Sequence, residues 1–260
     1  MVVQGIVLVI AAFIGGTLNA VAGGGSFFTF PALIAAGVPP IAANATSTVA
    51  LWPGSIASTV AYRNDVHRTR LTVFLSIASL AGGIIGAFLL LRTPTATFQK
   101  LIPWLLLVAT ALFGLGPMLT KRFRRASVAG AGVGDDASPQ SPGALVGLTA
   151  VQFVIAVYGG FFGGGIGILM LAALGIMGLT NIHEMNGLKT LFAACINGVA
   201  VLIFIVGHAV YWPQAVIMLI AGIAGGYLGA AGARRIPPQY VRVFVIVVGC
   251  LLTVYFFVRA

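Results

Sequence analysis

Stretches of about twenty residues without a single Asp, Glu, Lys or Arg recur along this chain, and nothing constrains its fold more. They run over 2–22, 26–62, 71–91, 101–120, 143–182, 190–206, 213–233 and 243–258. As a helix, a run of that length crosses roughly 30 Å of hydrocarbon. The runs are continuous and do not alternate over about ten residues, which argues against an outer-membrane barrel. A soluble domain carries roughly 25% charged residues; here 7% of 260 residues are charged, 60% are hydrophobic, and the mean hydropathy is +1.09. The fold class expected is all-α, a polytopic transmembrane helical bundle. A soluble enzyme, a disulfide-stapled secreted domain and a disordered chain are excluded together.

A net charge of +10 and a pI near 10.5 suggest nucleic acid in a soluble protein. In this chain the Arg and Lys residues sit almost entirely at the ends of apolar runs, where they act as topology signals against anionic lipid. The partner they imply is the lipid bilayer, and no nucleic acid is expected. Cys195 and Cys250 lie inside apolar runs and read as small core residues without metal-ligand spacing. No metal or cofactor is expected.

Two runs are too long for one crossing. Run 26–62 divides at Val38-Pro39-Pro40, since prolines halt a helix and bias the preceding residue away from α. That leaves a short piece at 27–37 and a span at 41–62. Run 143–182 divides into a span at 143–161 and a short piece at 166–178. Residues 121–142 open with Lys121, Arg122, Arg124 and Arg125, turn Gly/Ser/Pro-rich, and read as a flexible cytoplasmic linker.

The linker sits between two stretches that align, 1–120 and 143–260. Phe13 matches Phe153, and Gly23-Gly24-Gly25 matches Gly163-Gly164-Gly165. Asn44 and Thr48 match Asn186 and Thr190, and Gly82, Gly83 and Gly86 match Gly225, Gly226 and Gly229. Two repeats are expected, each a Gly-rich broken hairpin followed by three spans. Residues 1–22 imitate a signal peptide, but the uncharged Met1-Val2-Val3-Gln4 start and the recurrence at 143–162 make them a structural segment. If the short pieces do not cross, the halves are parallel, with eight basic residues inside and five outside. If first span and short piece form a hairpin, the halves are inverted and the count is ten to three, which the positive-inside rule prefers.

Inversion brings two glycine-rich breaks together near the midplane, where transporters of this type place substrate. Gly23, Gly24 and Gly25 let the backbone take φ > 0, Ser26 is placed to cap the following short helix, and a helix N-terminus attracts anions. Gly163, Gly164 and Gly165 supply the second such element. Asn186, Lys189 and Asn197 share one helix face, as do Asn44, Thr48 and Ser55, with Thr190 and Asn19 adding polar groups nearby. Small-residue packing and interhelical hydrogen bonding account for the same residues without any ligand. Lys189 stands apart, because a lysine at the bilayer centre costs about 2.5–3.5 kcal/mol. It reads as an anion contact, as a snorkelling side chain, or as a partner of Glu184 in poor helical registry. No Ser/His/Asp set or zinc motif can be assembled, and only Glu184 is an acid outside the loops, so an enzyme, a proton pump and a cation pathway are disfavoured.

The stretch Asn19-Ala-Val-Ala-Gly-Gly-Gly-Ser26, followed by Pro31-Ala-Leu33, Gly37-Val-Pro-Pro40 and Ala43-Asn-Ala-Thr-Ser47, resembles the TauE/SafE sulfite exporter family, also called toluene-sulfonate uptake permeases. Gly163-Gly-Gly165 with Asn186 and Thr190 is similar to that family's internal repeat, and only 126–142 lies outside the likeness. The resemblance implies a multi-pass secondary transporter of the cytoplasmic membrane for small sulfur-containing anions. Alternating access, a coupling ion (H+ or Na+) and possible homodimerisation belong to the same expectation. The alternatives are a carrier of other small organic anions and a non-transporting accessory or assembly subunit.

Overall fold

The computed structural model describes residues 2–21, 24–64, 66, 69–130, 142–176, 179, 181–233 and 238–259. Among them the chain forms ten helices and no strand: α1 (Val2–Val21), α2 (Ser26–Ala35), α3 (Pro40–Ala61), α4 (Arg70–Arg92), α5 (Thr95–Gly130), α6 (Pro142–Phe161), α7 (Ile166–Ile176), α8 (Ile182–Val206), α9 (Trp212–Ala233) and α10 (Pro238–Arg259). Both predicted short pieces are present, as α2 and α7.

Local chemistry sets the boundaries. After α2, Gly37 takes φ +87° and lets its own amide and that of Val38 turn back to the Ile34 and Leu33 carbonyls, a left-handed C-terminal lock. Pro40 then opens α3 at its first position, where its missing N–H costs nothing. Thr69 caps α4 by accepting the Thr72 amide. Two boundaries differ most from expectation. α8 begins at Ile182, eight residues before its uncharged run, because the Asn181 side chain caps the amides of His183 and Glu184. α5 continues to Gly130 through the basic cluster expected to start the linker, since Lys, Arg and Ala are good helix formers and no glycine falls between 116 and 130.

Hydrophobicity gives no drive between helices in lipid, so close approach of small residues does the work. α1 packs most extensively on α9, and α4 on α6. On α9, a methyl at Gly225 would strike the Phe13 carbonyl, while Gly16 lies against the backbone of Gly222. On α4, a methyl at Gly82 would stand 2.7 Å from the Phe153 carbonyl, and Gly86 meets that of Val157. The two contacts, Gly225 on Phe13 and Gly82 on Phe153, use residues that correspond in the sequence alignment, which pairs Phe13 with Phe153 and Gly82 with Gly225.

α3 and α8 run antiparallel through the centre. Trp52 donates its indole N–H to the Ala194 carbonyl at 3.1 Å and lies on Gly198, while Tyr62 and Val66 reach Gly187 at the other end. α5 and α10 are antiparallel too, with Trp104 edge-on to Phe257 and Thr110 against Gly249.

Apolar side chains cover the outside as well as the core: Ile220, Tyr227, Leu251 and Val258 are all exposed. Buried polar groups pair inward, as in Gln152 to Ser79 (2.8 Å) and Thr29 with Ser47 (2.6 Å). This is the distribution expected of a protein whose solvent is lipid. Among the described residues, Arg70–Arg92, Thr95–Leu112 and His183–Val206 are long and apolar enough to cross a bilayer, while α1, α6, α9 and α10 carry apolar segments somewhat shorter. Cys195 is half-buried, but Cys250 is exposed on α10 and is not a core residue.

Candidate functional site

Where the two short helices begin against the α3–α8 crossing, a cavity of about 60 Å³ opens. α3 contributes Thr48, Leu51, Ser55 and Ser58, one stripe at helical spacing. α8 contributes Lys189, Thr190, Ala193 and Asn197, Asn19 enters from α1, and Gly24 and Ser26 mark the start of α2. Phe162, Gly163, Gly165, Ile166 and Gly167 mark the start of α7. Phe162 also packs edge-on against Phe30, which closes this wall with a buried aromatic cluster.

The glycines are required by the backbone path. Gly24 (φ 148°), Gly163 (φ 78°) and Gly165 (φ 76°) sit where a side chain would be strained. At the start of α7, the amides of Gly164, Gly165 and Gly167 donate to no acceptor among the described residues. The positive ends of two helix dipoles therefore face one small space.

Among the described residues Lys189 is the only charged one lining it, and the side chain is 8% exposed. Its stem passes Gly167, where an added methyl would stand 3.4 Å from the Lys189 Cδ. Its ammonium donates to Asn186 Oδ1 at 3.0 Å. No ion pair is formed among the described residues, so the Glu184 pairing is not made, and burial replaces snorkelling.

Of the residues expected at a site, Asn19, Gly24, Ser26, Thr48, Ser55, Gly163, Gly165, Lys189, Thr190 and Asn197 meet at this cavity. Ser26 is the first residue of α2 and does not cap it; Gly25 holds the cap position, with no side-chain bond. Gly25 is buried against the Gly15 carbonyl. Gly164 turns its carbonyl to the Tyr158 hydroxyl at 2.7 Å. Asn44 donates to the Phe161 carbonyl at 3.0 Å, tying α3 to α6 away from the cavity wall. Asn186 serves Lys189 and not the cavity. Gly23 lies outside the described residues. Ser58, one helical step beyond Ser55, was the polar lining residue that the expected stripe omitted. Leu51, Phe162, Ile166 and Ala193 carry no polar signal to find them by.

With this geometry in place, the likeness to known proteins is informative. The family model described as sulfite exporter TauE/SafE matches residues 8–256. A protein named Probable membrane transporter protein ORF9 from a Sinorhizobium species is 30% identical over 244 residues, covering 91% of this chain and 87% of its own length. A probable membrane transporter protein of Haemophilus influenzae is 25% identical over 249 residues, covering 95% of this chain and 92% of its own. The probable membrane transporter protein YfcA of Escherichia coli K12 is 27% identical over 248 residues, covering 95% and 87%. No solved structure matches.

Proposed function

Because the chain belongs to the TauE/SafE sulfite exporter family and is thereby a multi-pass membrane transporter, we propose that it carries small sulfur-containing anions across the cytoplasmic membrane by alternating access. The central cavity is the binding site in this reading. One observation carries it: a single buried ammonium, Lys189, set between the N-termini of two short helices. Neither feature has a carboxylate to satisfy it among the described residues, and an anion would satisfy both.

Size narrows the substrate. A water needs about 10–15 Å³ of such space, so 60 Å³ holds about four to six non-hydrogen atoms. That suits sulfite or a one- or two-carbon sulfonate better than an aromatic one. The Ser55 hydroxyl and the side-chain amides of Asn19 and Asn197 supply donors for its oxygens, whereas the hydroxyls of Thr48, Ser58 and Thr190 give their hydrogens to the Asn44, Gly54 and Gly187 carbonyls and reach an anion only by turning from them. An inverted duplication is the second part of the reading, supported by the antiparallel α3–α8 and α5–α10 pairs and by the matched glycine crossings of α1–α9 and α4–α6. Two halves related in this way rock about the site they share.

The test is labelled sulfite flux in proteoliposomes of the purified protein, with and without imposed H+ or Na+ gradients. We expect protein-dependent flux competed by methanesulfonate, and a ten- to hundredfold loss in Lys189→Ala, the range about 1.5–3 kcal/mol of charged hydrogen bonding gives. Folded protein that moves no sulfite would overturn the substrate. Lys189→Ala at wild-type flux would overturn the site.

A further inference from the structure

Lysine is a long, flexible donor that in a membrane usually escapes to the interface. Lys189 does not escape, and two neighbours account for it. Gly167 leaves room for the stem, and Asn186, one turn earlier on the same helix face, takes one ammonium N–H at 3.0 Å. An ammonium has three N–H groups, so two are left without an acceptor among the described residues on a side chain that lines the cavity. The acceptor is neutral. A carboxylate at the same place would hold the ammonium as firmly but cancel its charge, and Glu184, the acid closest along the helix, makes no ion pair with it.

We propose that Asn186 is a positioning residue for anion binding: its amide oxygen holds the Lys189 ammonium at the cavity without neutralising it. The inference rests on the anion-transport reading above. It assigns Asn186 no contact with substrate, consistent with its absence from the cavity wall.

The experiment measures KM and Vmax for labelled sulfite, methanesulfonate and ethanesulfonate in proteoliposomes. The proteins are the wild type, Asn186→Ala, Asn186→Gln, Asn186→Asp, Lys189→Ala and the double variant Asn186→Ala/Lys189→Ala. Asn186→Ala should raise KM about tenfold at unchanged Vmax, the worth of one hydrogen bond to a charged group. Asn186→Gln should restore KM to within about threefold of wild type, because it keeps a neutral amide oxygen. Asn186→Asp, the closest replacement in shape, should be worse than Ala because it pairs with the ammonium. The double variant should be no worse than Lys189→Ala alone. A merely structural role predicts the opposite order, with Asp milder than Ala.

Elution profile and melting in detergent establish that each variant folds; if Asn186→Ala fails, the ranking of Gln above Asp decides. Asp at or above the transport of Ala or Gln, or penalties that add in the double variant, would overturn the inference alone. So would a wild-type KM in Asn186→Ala beside a loss in Lys189→Ala. Lys189→Ala at wild-type KM, or wild-type protein that moves none of the three anions, overturns the transport reading and the inference with it.

Discussion

The crossing of α4 on α6 makes a quantitative demand on Gly82. A methyl placed there would stand 2.6 Å from the Ala156 Cβ, 2.7 Å from the Phe153 carbonyl oxygen and 3.0 Å from the Val157 nitrogen. Non-bonded carbons settle at about 3.5–4.0 Å, so Gly82→Ala requires the helices to part by about 1 Å. None of the three is the end of a flexible side chain that could swing away. Overpacking of this kind costs about 1–3 kcal/mol, and rigid neighbours put this case near the top of that range. Replacing a helical glycine returns up to about 1 kcal/mol, leaving a net loss of about 2 kcal/mol. For a chain of this size that is a melting shift of about 4–8 °C. Gly54 on α3 is the control, with nothing within 4 Å of a methyl, and Gly54→Ala should melt at or slightly above wild type. The assay is thermal melting of detergent-purified protein, followed by the surviving monodisperse fraction. Should Gly82→Ala gain stability as Gly54→Ala does, the two helices do not approach as described and the glycine-crossing argument fails for α1–α9 as well.

Three further outcomes follow from local geometry. His208 ends α8 at φ 51°, in the left-handed position that glycine usually fills, so His208→Gly should raise the melting temperature, reflecting about 1 kcal/mol; a decrease would show that the imidazole makes a contact worth more than the strain. Gly167→Ala places a methyl at ordinary contact with the Lys189 stem and should keep flux, whereas Gly167→Leu should displace the ammonium and abolish transport; equal flux in the two would refute the route of the stem. Trp52→Phe removes the N–H donated to Ala194 but keeps a ring on Gly198, and its cost should stay near 0.6 kcal/mol, read as a melting shift of about 1–3 °C.

How far the chain can be read without coordinates depends on whether a signal is local. Val38-Pro39-Pro40 separates α2 from α3 because proline chemistry acts within two or three residues. Counting uncharged residues misses the start of α8, yet Asn181 with Glu184 three positions later is a capping pair visible in the chain. Helix periodicity likewise puts Thr48 and Ser55 on one face of α3, and would have put Ser58 there, and it puts Lys189 and Asn197 on one face of α8. It cannot say that Asn44 spends its amide on Phe161, 117 positions away, because that depends on where α6 arrives. Nor can a glycine triplet say which member bends the chain and which packs: Gly165 lines the cavity, and Gly164 beside it serves Tyr158.

The exchange of partners between the ends of the chain has a consequence in time. Thr17 donates its hydroxyl to the Gly225 carbonyl across 208 residues, and α1 has its main seat on α9. A ribosome adding about 5–20 residues per second takes about 10–40 s to deliver that partner. Until then α1 waits in the bilayer with the glycine face that α9 will cover open to lipid. Assembly of this protein is therefore tied to synthesis of α9, and a chain stopped after α5 leaves α1 and α4 without the helices they pack on most extensively.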